Sequence, residues 1–154
     1  MTSHTPAPIL IFAWGNPSRG DDALGPLLVE RIAALHLPDV ECLTDFQLQV
    51  EHALDLAGRR RILFVDASLD AAPPFAVSVI EASRDASFTT HAMTPEAVMQ
   101  VYVDLNDEPP PPCTLLAIRG ERFELGEAPG AAALNHLDAA VAWVRQWLNA
   151  PEKS

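Results

Sequence analysis

Short apolar runs that are typical of strands alternate along this sequence with stretches that carry the apolar spacing of helices. The run at residues 8–14 precedes a helical stretch at 24–35, and the run at 40–44 precedes another at 47–57. The run at 61–65 is continuously apolar after its first residue, as expected for a central strand that helices cover on both faces. This alternation predicts an α/β fold with a mostly parallel sheet.

One strand of the predicted sheet is expected to run antiparallel to the others. Only a short segment with Pro73 and Pro74 separates the run at 61–65 from the run at 75–80, whereas a parallel crossover needs about a dozen residues. The remaining predicted elements are a helix to about residue 105, a strand at 113–118 and a helix at 131–148. We therefore predict a single α/β domain over residues 1–154, with a twisted sheet of five or six strands, one of them antiparallel, and helices on both faces.

The charge balance and the cysteine usage exclude several classes of function. The 10 Lys and Arg against 21 Asp and Glu give a net charge of −11, which would repel a phosphate backbone, so we expect no nucleic-acid partner. No apolar run approaches the ~18 residues of a membrane span, and the N-terminal segment lacks the basic start of a signal peptide. Cys42 and Cys113 form no disulfide framework and are expected to be small buried apolar residues. We therefore expect a cytoplasmic monomer that does not bind membranes.

The loop at residues 15–25 follows a strand and opens a helix, which is where nucleotide-binding loops occur. Its glycines do not match G-x-G-x-x-G, and Asp21 and Asp22 stand where a P-loop requires Lys and Ser or Thr. Two carboxylates in that position would repel a phosphate, so a nucleotide-binding regulator is disfavoured. Because the N-terminus of a helix tolerates acidic side chains, helix capping is an alternative interpretation of both aspartates.

Two further residues carry chemistry that metal sites use. Asp66 ends the buried strand at the rim where sites form in parallel sheets, although an Asx turn or a helix cap would also account for it. His91 stands just before a helix start indicated by Thr94 and Pro95, and a lone His is more often structural. Together with Asp22 they would form an open set of two carboxylates and one imidazole, which can share a divalent metal with another molecule.

The antiparallel strand sets a geometric condition on this group of residues. That strand should end away from the rim at Asp66, so residues 83–90 must bring His91 back to it. At ~3.3 Å per residue these residues reach ~26 Å when extended, which makes the return feasible.

The sequence lacks the motifs of other protease classes. It has no G-x-S-x-G elbow, no H-E-x-x-H helix and no Cys in a catalytic context, and residues 66–68 are only weakly similar to the triplet of aspartic proteases. Arg19 is the only base of the first loop and suits either a substrate carboxylate or pairing with Asp21 or Asp22. The remaining histidines have no metal spacing and are assigned to the surface or to helix faces: His4, His36, His52 and His136.

Three motifs, in this order, resemble those of the hydrogenase maturation endopeptidases. They are Gly15-Asn16 with Gly20-Asp21-Asp22 and Gly25-Pro26 after the first strand, Val65-Asp66-Ala67 at a strand end, and Thr90-His91 followed by Pro95. The similarity runs from about Ile9 to Trp147. The resemblance implies an α/β fold and a hydrolase, an endopeptidase that removes the C-terminal extension of the nickel-loaded large-subunit precursor of a nickel-iron hydrogenase.

The resemblance also implies the site and its partner. The family's three nickel-contacting positions fall on Asp22, Asp66 and His91, so we predict these as both the metal-contacting and the catalytic residues. The nickel arrives with the substrate, so no intrinsic cofactor is expected, and the partner is the precursor large subunit. Some relatives have Glu at the position of Asp22, so the carboxylate here has a shorter reach. The stretch at 45–52 is similar to the branch that serves NAD-reducing cytoplasmic hydrogenases.

Two hypotheses of different classes follow from these residues. In the first, docking on the substrate's nickel fixes the scissile bond in an attack geometry, and this positioning supplies much of the rate. In the second, the chain is a non-catalytic metal-delivery or chaperone module that holds the immature large subunit through the same ligands without cutting it.

Overall fold

A five-stranded sheet forms the centre of the described structure. The computed structural model of the chain describes residues 5–84 and 93–150. The strands are β1 (Ile9–Trp14), β2 (Val40–Asp45), β3 (Arg61–Ser68), β4 (Phe75–Ile80) and β5 (Cys113–Arg119). Their spatial order is β2-β1-β3-β5-β4, and all pairs are parallel except β4 with β5. The predicted fold class is confirmed, including the single antiparallel strand.

Helices cover both faces of this sheet. The described α-helices are α1 (Leu24–Ala33), α2 (Pro95–Asn106) and α3 (Ala131–Asn149), with 3-10 helices at Gly20–Ala23 and Val50–Leu56. α1 and α3 pack on one face, and α2 packs with the second 3-10 helix on the other. α2 begins as predicted, because the Thr94 hydroxyl oxygen accepts the N–H of Ala97 at 3.1 Å and Pro95 takes the first helical position.

Two predicted helices differ from the observed ones. α1 ends at Ala33, and Leu35, which the apolar spacing had included, is exposed beyond the helix. The helical stretch predicted at 47–57 is a shorter 3-10 helix, which begins at Val50 and ends at Leu56. The N–H of Gln49 donates to Nδ1 of His52 at 2.8 Å, and this three-residue contact matches the period of a 3-10 turn.

The alternation of side chains along β3 decides which face carries the predicted site residue of this strand. Val65 and Ala67 pack in the core with α1 and α3, whereas Phe64 packs in the core with α2. Asp66 therefore lies on the α2 face of the sheet. Pairing with β5 extends β3 to Ser68, so the prediction that Asp66 ends the strand is wrong by two residues.

Two of the exclusions made from the sequence can be compared with the fold. Within the described ranges, no helix is both long and apolar enough to cross a membrane.

Cys113 is buried and Cys42 is half-buried, and neither thiol forms a disulfide in the described structure. Burial raises the pKa of the Cys113 thiol to about 12, and burial with the nearby charge of Glu41 raises that of Cys42 to about 11. Both thiols therefore stay protonated at neutral pH, which argues against a cysteine nucleophile.

Candidate functional site

The loop between β1 and α1 folds tightly back on the end of β1. Gly15 has a φ of +147°, and a Cβ atom there would lie 2.1 Å from the carbonyl oxygen of Asp22. No side chain fits in that space, so glycine at this position lets the backbone of Asp22 close over the strand end. The loop is also joined to β2, because the N–H of Gly15 donates to the carbonyl of Asp45 at 3.1 Å. Asp22 is thereby held at the carboxyl edge of the sheet.

The side chain of Asp22 is anchored inside this loop. Its Oδ2 accepts the N–H of Asn16 at 2.7 Å, and its backbone N–H donates to the carbonyl of Arg19 at 3.1 Å. Neither the 3-10 helix nor α1 has a side-chain bond at its N-cap position, so helix capping does not account for Asp22. Within the described residues Oδ1 of Asp22 accepts no hydrogen bond. Hydrogen bonds within the described residues therefore occupy only one of the two carboxylate oxygens of Asp22.

The neighbouring Asp21 has a different role. Its buried carboxylate accepts backbone N–H groups from Glu121 at 2.7 Å, Arg122 at 3.0 Å and Gly130 at 2.9 Å. Burial alone would raise the pKa of Asp21, but these amide donors and the charge of Arg122 outweigh it and lower the pKa. Asp21 therefore ties the first loop to the segment after β5, and its oxygens are occupied by that task.

The first turn of α1 lies directly against the ends of β1 and β3. A Cβ atom on Gly25 would lie 3.0 Å from the carbonyl oxygen of Trp14 and 3.3 Å from that of Val65. Backbone atoms of two paired strands cannot easily give way, so glycine permits this close approach of helix and sheet. The contact with Val65 places the start of α1, and Asp22 just before it, beside Asp66.

Asp66 and Asp22 are close enough for their charges to interact. Burial raises the pKa of Asp66 to about 7, the backbone N–H of Ala67 opposes this rise, and the negative charge of Asp22 adds to it. On the same face, the rings of Trp14 and Phe64 meet edge to face with centroids 6.0 Å apart, which keeps the surroundings partly apolar. The structure thus brings two of the three predicted site residues together, and their roles as ligands stay a prediction.

The third predicted residue, His91, lies outside the described residues. On its C-terminal side, the N–H of Met93 donates to the carbonyl of Leu48 at 3.3 Å. On its N-terminal side, the N–H of Ser83 donates to the carbonyl of Glu96 at 3.1 Å, so the chain after β4 already lies beside the first turn of α2. Over residues 5–84 and 93–150, no group of three or more His, Cys, Asp or Glu side chains is placed to hold a metal ion.

A buried histidine that the sequence did not indicate lies on the same face. His52 packs edge to face on Phe12 with ring centroids 4.6 Å apart, and its Nε2 lies 3.0 Å from Oδ2 of Asp45. Its Nδ1 accepts the N–H of Gln49, so Nε2 carries the proton and donates to Asp45. Of the two locations predicted for His52, the surface is wrong and a helix face is confirmed, because His52 lies on the buried face of the 3-10 helix with both ring nitrogens bonded. The strand-end rule could have indicated Asp45, which ends β2.

Arg19 does not pair with either acid of its own loop. Its Nε donates to the carbonyl of Phe123 at 3.0 Å. In the described part of the chain no ion pair joins it to Asp21 or Asp22, which was one of the two interpretations left open by the sequence.

Solved structures of other proteins share this fold. No protein-family profile matches the sequence, and no curated protein sequence is significantly similar to it. The NiFe hydrogenase maturation protease HycI from Thermococcus kodakarensis superimposes with a TM-score of 0.72 at 21% identity, over 94% of each chain. The chain has the fold of the hydrogenase maturation proteases.

Two further structures agree with this comparison. The hydrogenase maturating endopeptidase HybD from Escherichia coli gives a TM-score of 0.68 at 23% identity, over 91% of each chain. A hydrogenase 2 maturation peptidase from a Thaumarchaeota archaeon gives 0.65 at 23% identity, over 92% of this chain and 97% of the other. At these identities the likeness establishes the fold, and the function is argued from the site.

Proposed function

We propose that this chain is an endopeptidase that removes the C-terminal extension from the nickel-loaded large-subunit precursor of a nickel-iron hydrogenase. Three solved structures that share this fold are hydrogenase maturation proteases or endopeptidases. The motifs around Asp22, Asp66 and His91 resemble that family in residue type and order. The fold and the motifs support the same activity.

The pairing of Asp22 with Asp66 is the observation that carries this proposal. Burial and the charge of Asp22 together raise the pKa of Asp66 to about 7, so two ionised carboxylates are unfavourable in this place. A divalent cation between them would replace repulsion by attraction, and carboxylate oxygens together with imidazole are suitable ligands for such an ion. A nickel ion carried in by a partner protein meets this requirement.

In this proposal the nickel belongs to the substrate. Oδ1 of Asp22 and the carboxylate of Asp66 contact the ion, and His91 is the third contact. Three ligands from one protein leave coordination positions for the side chains of the precursor. Because Asn16 already holds the other oxygen of Asp22, little reorganisation is needed when the ion arrives. Docking on the ion then holds the scissile bond near the site, and this positioning contributes to the rate.

A narrower proposal concerns the hydrogenase that is matured. The stretch at 45–52 is similar to the branch of the family that serves NAD-reducing cytoplasmic hydrogenases. We infer a precursor of that type as the preferred substrate. Competition between precursors of an NAD-reducing hydrogenase and of another nickel-iron hydrogenase tests this, and equal rates of cleavage would reject the preference.

Mass spectrometry of the large subunit separates cutting from holding. The wild-type chain should shorten the nickel-loaded precursor by the mass of its tail, whereas the Asp66→Asn and His91→Ala variants should leave it intact. The exposed His36, which lies just beyond α1, provides a matched control, and His36→Ala should cut at the wild-type rate. Undiminished cleavage by Asp66→Asn or His91→Ala would reject the assigned site. A lasting complex with an intact tail would instead identify a metal-delivery or chaperone module.

A further inference from the structure

Arg19 is a cation without an acidic partner in the described part of the chain. The sequence carries 21 Asp and Glu against 10 Lys and Arg, so acidic side chains outnumber the basic ones that could pair with them. Three other arginines pair with carboxylates: Arg31, Arg59 and Arg84. Arg19 is close in sequence to Asp21 and Asp22, but the Asp21 carboxylate is turned onto backbone amides and Oδ2 of Asp22 is bonded to another amide. In the described ranges Arg19 therefore forms no ion pair with either aspartate of its own loop.

The guanidinium of Arg19 is nevertheless held in place. Its Nε donates to the carbonyl of Phe123 at 3.0 Å, in the segment that follows β5. The adjacent N–H of Gly20 donates to the carbonyl of Glu127 at 2.9 Å, so the backbone that carries Arg19 is fixed to the same segment. Arg19 is exposed, and within the described ranges its two terminal nitrogens donate to no acceptor. One edge of the guanidinium is thus used for orientation, and the other remains accessible.

We propose that Arg19 binds a carboxylate of the protein substrate next to the Asp22 and Asp66 pair. This inference rests on the proposed function, and it specifies a carboxylate as a group of the substrate that the site recognises. The N–H of Asp22 donates to the carbonyl of Arg19 at 3.1 Å, so Arg19 and the metal-contacting carboxylate belong to one hydrogen-bonded turn. A guanidinium whose terminal nitrogens are accessible can donate to both oxygens of a carboxylate, with defined direction.

A cation in this place would make the site selective. The net charge of −11 and the two site carboxylates repel an acidic substrate, so an acidic group is accepted only where a cation compensates for it. The carboxylate can come from an Asp or Glu side chain of the precursor's tail or from the tail's terminal carboxyl group. Both sources present the same chemistry to Arg19.

Kinetic and binding measurements with Arg19→Ala, Arg19→Lys and the control Arg31→Ala test this assignment. Arg31 is an exposed arginine of α1 that pairs with Asp138. For nickel-loaded precursor, Arg19→Ala should raise KM and Kd by about ten-fold or more and leave kcat within about two-fold, because an ionic hydrogen bond is lost from binding. The KM and Kd of Arg19→Lys should lie between those of the wild type and of Arg19→Ala, since lysine keeps the charge and loses the planar guanidinium. The Kd of the wild type should rise with salt more steeply than that of Arg19→Ala.

Precursor variants identify the source of the carboxylate. One set has each tail Asp or Glu changed to Asn or Gln, and another has a ligated tail that ends in a carboxamide. The partner of Arg19 is the group whose neutralisation weakens binding to the wild type and has no further effect on Arg19→Ala. The inference is wrong if each neutralised precursor loses as much affinity for Arg19→Ala as for the wild type. It is also wrong if Arg19→Ala and Arg31→Ala have the same KM and Kd.

The same experiment distinguishes this inference from the proposed function. Binding that depends on Arg19 without any cleavage would overturn the endopeptidase and retain the carboxylate contact. Cleavage that does not depend on Arg19 would retain the endopeptidase and overturn the carboxylate contact. If the wild type neither binds nor cuts the precursor, both assignments are wrong.

Discussion

The carboxylate of Asp22 lies close enough to Asp66 for its negative charge to contribute to the raised pKa of Asp66. The two residues are far apart in sequence, because Asp22 lies in the 3-10 helix after β1 and Asp66 lies within β3. Gly25 makes their meeting possible, because it lets the start of α1 touch the backbone of both Trp14 and Val65. The site is therefore a product of helix and strand packing, with each carboxylate held by its own backbone surroundings.

The raised pKa of Asp66 should make the stability of the metal-free protein depend on pH. An Asp carboxyl ionises near pH 4 in an unfolded chain, whereas that of Asp66 ionises near pH 7 in the fold. Between these values the folded chain binds the additional proton, so this residue's contribution to the free energy of unfolding should fall as pH rises from about 4 to about 7. Above about pH 7 Asp66 is ionised in the fold, and its full destabilising effect on the free energy of unfolding is present.

The Asp66→Asn variant isolates this contribution, because an amide does not ionise. Its free energy of unfolding should exceed that of the wild type by roughly 1–3 kcal/mol near pH 8, and the difference should shrink towards pH 5. Urea unfolding of both proteins across this range provides the measurement. A difference that does not change with pH would show that Asp66 ionises like an ordinary carboxyl.

Asp21 should contribute mainly to stability. Asp21→Ala leaves three backbone N–H groups without an acceptor in a buried place, which should lower the free energy of unfolding by about 3 kcal/mol or more. Because the pKa of Asp21 is lowered, its stabilisation is present above about pH 4 and is lost as the pH falls through the folded-state value. The exposed Asp70 offers a control, and Asp70→Ala should change stability by less than about 0.5 kcal/mol. Equal stabilities of the two variants at pH 7 would contradict the role given to Asp21.

Gly25→Ala should separate Asp22 from Asp66 without changing either residue. The added methyl group meets the carbonyl oxygens of Trp14 and Val65, so α1 must shift outward, at a cost of about 1–2 kcal/mol. We expect cleavage of the precursor to fall by about ten-fold or more, because a small misplacement of positioning groups has a large effect on rate. Glu30→Ala, on the exposed side of α1, serves as the comparison. A folded Gly25→Ala variant with full activity would show that the close contact of Gly25 with Trp14 and Val65 is not needed for cleavage.

Local sequence patterns are sufficient to predict most of the sheet. The reversed direction of β4 follows from the short connection through Pro73 and Pro74, because chain length alone excludes a parallel crossover. The start of α2 follows from Thr94 and Pro95, whose capping chemistry is also local. The 3-10 type of the helix at Val50–Leu56 was not predictable in this way, since its apolar residues also fit an α-helical period.

The roles of individual site residues depend on contacts that are distant in sequence. Asp21 and Asp22 are adjacent and chemically identical, and only the backbone amides of Glu121, Arg122 and Gly130 distinguish the structural aspartate from the site aspartate. The burial of His52 in its 3-10 helix likewise depends on the ring of Phe12 in β1. Strand-end positions could indicate where carboxylates meet, but not which of their oxygens are already occupied.

A cleavage assay that compares nickel-loaded with nickel-free precursor tests most directly whether Asp22 and Asp66 recognise the substrate's metal. Both precursor forms are incubated with the wild-type protein under the same conditions, and the mass of the large subunit is followed with time. We predict that the loaded form loses its tail and that the nickel-free form stays intact. Cleavage of both forms at the same rate would contradict metal recognition by these residues.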